Sequence, residues 1–138
     1  ALLHIDLDRF KLLNDSLGHE VADQLLRQMS RRLTQAVPEA DCIARLSGDE
    51  FAIIFSNPKH DEEGILRRLE AIRQRAAEPI ELTQGCLSVT CSSGTAFYPG
   101  DGDTPEALLA KADAAMYAAK KDGRNSVRVS DQSAGSGI

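Results

Sequence analysis

Apolar positions recur along this chain with two different periods, and the changes of period outline its elements. Leu2, Leu3, Ile5 and Leu7 open the chain as a near-continuous apolar run, the pattern of a buried strand. The run ends in two acids, Asp6 and Asp8, with the basic Arg9 and Lys11 just beyond. From residue 19 to about 36, Ala22, Leu25, Leu26, Met29, Leu33 and Ala36 return at helical spacing, and Pro38 closes the segment. Residues 42–46 and 50–56 read as the two strands of a β-hairpin around Ser47-Gly48, with Asp49 and Glu50 at its bend. Residues 61–77 return to the helical period, with Ile65, Leu69, Ile72 and Ala76 on one face and Arg67, Arg68, Arg73 and Arg75 on a solvated one. Ile80–Leu82 and residues 87–97 read as strands around a Gln84-Gly85 turn.

The last helix carries its own punctuation. Thr104 suits the N-cap, Pro105 the first helical position and Gly123 the residue past the end. Leu108, Ala112, Ala115 and Ala119 form a narrow small-residue face suited to close packing on a sheet, and Val127–Val129 reads as a short final strand. The order is strand, helix, hairpin, helix, strands, helix, strand. It predicts an α/β fold with a mostly antiparallel central sheet flanked by helices. A first turn without a glycine-rich loop argues against a dinucleotide-binding domain.

Bulk properties narrow the classes. A length of 138 residues fits one domain, and 42% hydrophobic with 27% charged residues is ordinary for a soluble globular protein. A net charge of −5 argues against a general nucleic-acid surface, although a few local cations could still serve a nucleotide's phosphates. No apolar run is long enough to span a bilayer and no signal peptide is visible, so the domain is expected in the cytoplasm. Cys42, Cys86 and Cys91 lack metal-type spacing and are each expected to act as a small buried hydrophobe in a reducing compartment.

The chemistry gathers at two acidic clusters. Asp49 and Glu50 repel one another at a tight bend unless a cation or substrate relieves them, and Gly48 lets a ligand approach the backbone. Asp6 and Asp8 at the carboxyl end of a buried strand, facing that bend, would make a hard-oxygen site suited to magnesium, with Arg9 and Lys11 beside it for phosphate. Each cluster alone is also what a solvated turn or strand end looks like.

Three blocks occur in an order that makes a resemblance specific. They are Asp6-Leu-Asp8-Arg-Phe10-Lys11-Leu-Leu-Asn14-Asp15-Ser-Leu-Gly18-His19 with Asp23-Gln-Leu25-Leu26, then Arg45-Leu-Ser47-Gly48-Asp49-Glu50-Phe51, then Ala112-Asp113-Ala-Ala-Met116-Tyr117-Ala-Ala119-Lys120 with Gly123-Arg124-Asn125. Together they resemble the GGDEF domain of diguanylate cyclases along nearly all of the chain. The resemblance implies a ferredoxin-like, palm-type nucleotide cyclase core that condenses two GTP molecules into cyclic di-GMP and two pyrophosphates across a homodimer. It implies Asp6, the Leu7 carbonyl, Asp49 and Glu50 as ligands of magnesium or manganese, Glu50 being either a second ligand or the proton acceptor. Lys11, Lys120 and Arg124 would hold the β- and γ-phosphates; favourable charge at a helix C-terminus is the other account of Lys120 and Arg124, worth about 0.3–1 kcal/mol. Asn14 and Asp23 would read guanine, with Gly48 and Phe10 also on the substrate side. His19 would order the turn at Gly18, while His4 would be a core or packing residue and His60 a surface one.

Departures from the family pattern set the expectations further. Ser47 stands in place of the first signature glycine, a mild change that leaves both acids. Ala22 replaces a common glycine and should be tolerated in a helix. Pro38 stands where the family's product-inhibition motif, Arg-x-x-Asp, has its arginine, so only Asp41 of that pair remains. Tyr98-Pro99-Gly100-Asp101-Gly102 is similar to members fused to an EAL phosphodiesterase domain. The alternative to the enzyme is therefore a weakly active or inactive GTP-binding module that regulates a fused EAL domain. Residues 1–129 are expected to form the domain without its usual preceding helix, and 130–138 a flexible linker. Sensory or EAL domains, and membrane attachment, would belong to the full-length protein.

Overall fold

The computed structural model describes residues 1–38, 40, 42–56, 61–82 and 85–130. Five strands, β1 (Leu2–Leu7), β2 (Cys42–Ser47), β3 (Glu50–Ile54), β6 (Cys91–Ala96) and β7 (Val127–Val129), form one sheet in the order β2-β3-β1-β6-β7. Every neighbouring pair is antiparallel except β6 and β7. A separate hairpin pairs β4 (Ile80–Leu82) with β5 (Gly85–Leu87). The helices are α1 (Phe10–Leu17), α2 (His19–Ala36), α3 (Glu62–Ala76) and α4 (Pro105–Lys121). The mostly antiparallel sheet flanked by helices is the predicted architecture.

Alternation along β1 assigns its two faces. Leu3, Ile5 and Leu7 enter the core with Phe51 and Ile53 of β3, Leu25, Met29 and Leu33 of α2, and Ile65, Leu69 and Ile72 of α3. His4 and Asp6 point to the opposite face, where β1 pairs His4 with Gly94 and Asp6 with Ser92 and Glu50. Helix α4 covers that face through the predicted small residues. A Cβ on Gly94 would lie 2.3 Å from the Ala112 carbonyl oxygen and 2.3 Å from the Met116 nitrogen, so the backbones approach too closely for any side chain there.

The end signals of α4 act as read: Thr104 Oγ1 accepts from the Ala107 N–H at 3.1 Å, Pro105 opens the helix, and Gly123 lies just past it at φ 107°. A cap between α2 and α3 was not legible. The guanidinium of Arg32 donates to the carbonyls of Arg75, Ala76, Glu78 and Pro79, which lie at and just past the end of α3.

Four expectations are corrected. Residues 10–17 form a helix of their own, which turns into α2 at Gly18, φ 91°. The strand expected over 87–97 is two strands, because β5 pairs with β4 while β6 pairs with β1 and β7, and one straight strand cannot serve both sheets. Cys42 and Cys86 are exposed; only Cys91 is buried, and burial pushes its thiol up to about 12, which keeps it protonated. The arginine face of α3 is only partly solvated: Arg73 pairs with Glu70 and donates to Asn125 Oδ1, and Arg68 lies over the Phe55 ring. Expectations for Asp41, His60, Gln84 and residues 131–138 fall outside the described residues. Among the described residues, no helix is long and apolar enough to cross a membrane.

Candidate functional site

The carboxyl end of β1 and the turn between β2 and β3 meet on the α4 side of the sheet. The Leu7 N–H donates to the Asp49 carbonyl at 3.1 Å, which fastens the hairpin turn to the strand end. Antiparallel register then sets Glu50 directly opposite Asp6. Helix α4 adds a cation, its Lys120 Nζ 2.6 Å from Asp6 Oδ2.

Asp6 is 8% exposed and its Oδ1 has no hydrogen-bond partner. Burial pushes its carboxyl up from 3.8 to about 7; Lys120 opposes the rise and the neighbouring Asp49 adds to it. A buried carboxylate oxygen without a donor suits a small divalent cation. Asp49 is the carboxylate close enough to act on Asp6, while among the described residues the acidic and imidazole groups whose ligand atoms all lie within 4.8 Å of one another are His4, Glu50 and Asp113. The Cβ position of Gly48 has nothing within 4 Å, so the hairpin tip is open.

The other expected residues divide. Lys11 is exposed at the start of α1, and Phe10 is buried in the core beneath it. Arg124 is exposed at φ 64°, just past α4. Asn14 on α1 has a buried Oδ1 without a partner. Asp23 on α2 lines a hollow of about 280 Å³ with Leu26, Arg27, Ser30 and Arg45, which Asn14 does not line. Asp6, Asp49, Glu50 and Lys120 are thus brought together, whereas Asn14 and Asp23 share no described partner.

Three further residues emerge from the geometry. His4 is buried as expected, yet it is no inert packing group: its Nε2 lies 3.0 Å from Glu50 Oε1 and its Nδ1 3.2 Å from Asp113 Oδ1. Asp113 precedes Lys120 by two helical turns, so both project from one face of α4, a spacing visible in the sequence. Asp8 is buried and accepts from Thr90 Oγ1 at 2.6 Å, Ser92 Oγ at 2.7 Å and the Asn125 N–H at 2.9 Å. It therefore anchors the turn that carries Arg124; the sequence showed an acid at this place but not its partners.

The family model described as "Diguanylate cyclase, GGDEF domain" matches residues 1–126. The chain belongs to this family. Diguanylate cyclase TpbB of Pseudomonas aeruginosa is 42% identical over 132 residues, which is 95% of this chain and 30% of that protein. The same organism's cyclic di-GMP phosphodiesterase NbdA is 39% identical over 128 residues, 93% of this chain and 16% of that one. This GGDEF domain therefore spans less than a third of either relative. Among solved structures, the isolated GGDEF domain of TpbB superposes with a TM-score of 0.89 at 40% identity, covering 96% of this chain and 77% of that one. The GGDEF domain of DgcB from Caulobacter crescentus, solved in complex with c-di-GMP, gives a TM-score of 0.83 at 33% identity, with 94% and 77% covered.

Proposed function

We propose that this domain is a diguanylate cyclase that joins two GTP molecules into cyclic di-GMP, each protomer of a homodimer presenting one GTP. The partnerless buried oxygen of Asp6, with Asp49 as a neighbour, Glu50 across from it in strand register and Lys120 on its other oxygen, is the observation that carries the reading. Asp6, Asp49, Glu50 and the Leu7 carbonyl would hold magnesium or manganese. When bound, such a cation neutralises phosphate charge and orients the attacking and leaving oxygens.

The remaining steps belong to the chain's own groups. Asn14 and Asp23 would orient guanine, the amide meeting its acceptor and the carboxylate its N–H donors. Lys11 and Arg124, both exposed, would grip the β- and γ-phosphates, and Lys120 would move from Asp6 to the phosphates as they arrive. The ribose 3′-oxygen of one GTP attacks the α-phosphorus of the other, the bond to pyrophosphate breaks, and the hydroxyl proton leaves to Glu50 or to water. A second, reciprocal step closes the ring. Cations beside the departing pyrophosphate stabilise its charge.

A regulatory reading has one observation in its favour: a relative as similar as NbdA is named a phosphodiesterase. In that case the domain, as residues 1–129 followed by a linker, binds GTP and controls a fused EAL domain. Incubating the protein with GTP and magnesium separates the two. Cyclic di-GMP that disappears with Glu50→Gln supports the cyclase, whereas saturable GTP binding without product supports the regulator.

A further inference from the structure

Each oxygen of the Glu50 carboxylate already has a side-chain partner within this chain. Ser47 Oγ donates to Oε2 at 2.7 Å, and His4 Nε2 lies 3.0 Å from Oε1. We propose that Ser47 and His4 are positioning residues: together they clamp the Glu50 carboxylate in the orientation the site uses. The inference rests on the cyclase reading above.

The local structure explains why these two residues reach Glu50. Ser47 is its antiparallel partner across the hairpin, at a register irregularity between Arg45 and Ser47 that re-aims the strand end. A glycine at this position could not make the contact, so the hydroxyl is a device of this chain and not of the family pattern. His4 shares the α4 face of β1 with Asp6, the residue opposite Glu50, and so stands on the diagonal from it. His4 is 4% exposed, paired with Gly94 of β6 and with its Nδ1 3.2 Å from Asp113 Oδ1 of α4, so its ring has little freedom to turn away.

Lone-pair arithmetic decides between a clamp and a block. An ionised carboxylate offers about four acceptor directions, and with the His4 proton carried on Nε2, as a carboxylate partner requires, one donor on each oxygen leaves roughly two unused. Glu50 can therefore meet a cation or a hydroxyl proton while both clamps stay closed. Fixing the carboxylate plane beforehand spares the rotational entropy of a glutamate end at an open hairpin mouth.

The test compares Ser47→Ala and His4→Leu with the donor-keeping Ser47→Thr and His4→Gln. Mn²⁺ affinity is measured by electron paramagnetic resonance with a non-reacting GTP analogue, alongside GTP kinetics and thermal melting. Loss of either donor should raise the Mn²⁺ dissociation constant and lower kcat, each by about tenfold, with KM for GTP within about twofold. Ser47→Thr and His4→Gln should restore most of both. If the parent protein makes no cyclic di-GMP, the cyclase reading falls, while the Mn²⁺ titration still reads the clamp. Mn²⁺ affinity that is absent from the parent protein, unchanged in the four variants, or tighter in Ser47→Ala and His4→Leu would overturn it. So would losses that track only the melting temperature and are not restored by the donor-keeping variants.

Discussion

At the scale of residues, Asp6 makes the site sensitive to pH. Its folded value, about 7, stands above its ordinary 3.8, chiefly through burial. Folding thus favours the protonated form, and this contribution to stability is present below the unfolded value and lost as pH rises through about 7. A cation needs the ionised form, so Mn²⁺ should bind about tenfold more weakly at pH 6 than at pH 8, and Asp6→Asn should remove the dependence along with most of the affinity. Titration at the two pH values checks this; a flat response would take Asp6 out of the ligand set. Asn14 invites a second measurement. With its amide nitrogen toward guanine's O6, the partnerless Oδ1 suits the N1–H beside it; adenine has no hydrogen on N1, and the acceptors of Asn14 and Asp23 aimed at that edge would go unmatched at a cost of about 1–3 kcal/mol. Calorimetry should find GTP preferred over ATP by about tenfold or more, and Asn14→Ala should erase the difference.

At the scale of elements, the α4–β6 contact holds the closest approach at any described glycine, that of Gly94. Gly94→Ala would drive a methyl into the Ala112 and Met116 backbone, and α4 would have to lift from the sheet. Overpacking of this kind costs about 1–3 kcal/mol, occasionally more. Because α4 carries both Asp113 and Lys120, the substitution should also weaken Mn²⁺ binding. Gly48→Ala is the contrast, since nothing lies within 4 Å of the added methyl, and its unfolding free energy should stay within about 0.5 kcal/mol of the parent's. Arg32→Ala tests the joint between α2 and α3. Losing donors to carbonyls at and beyond the end of α3 should cost about 1.5–3 kcal/mol by urea unfolding with GTP affinity unchanged, because Arg32 lies away from the acidic cluster.

At the scale of the whole molecule, the proposed reaction needs two protomers, each supplying one GTP. Specific activity should therefore fall on dilution, and a rate per protomer independent of concentration would contradict the dimer. Feedback is expected to be weak. Pro38 is exposed just past α2, and its ring offers no donor where the family's Arg-x-x-Asp motif has an arginine. Cyclic di-GMP should bind Glu50→Gln only where a GTP analogue displaces it. Tight binding that the analogue leaves untouched would reveal a separate product site.

What was legible in the sequence was whatever depends on neighbours along the chain. Helical periodicity placed α2, α3 and α4, the Thr104-Pro105 and Gly123 signals bounded α4, and the acids of β1 and the hairpin marked the candidate site. Local patterning misled where pairing partners decide, as in the break between β5 and β6 and the separate helix α1. Cys42 and Cys86 went astray for a related reason, since exposure depends on what covers a position. The site's working contacts were beyond local reach. Asp6 meets Lys120 across 114 positions of chain, Asp8 meets Asn125 across 117 and His4 meets Glu50 across 46. Residue identity determined which charges and donors the protein possesses. Only sheet register and the seating of α4 on Gly94 decided which of them stand within hydrogen-bond distance, because those separations are set by backbone pairing between distant segments and by no property of the segments alone.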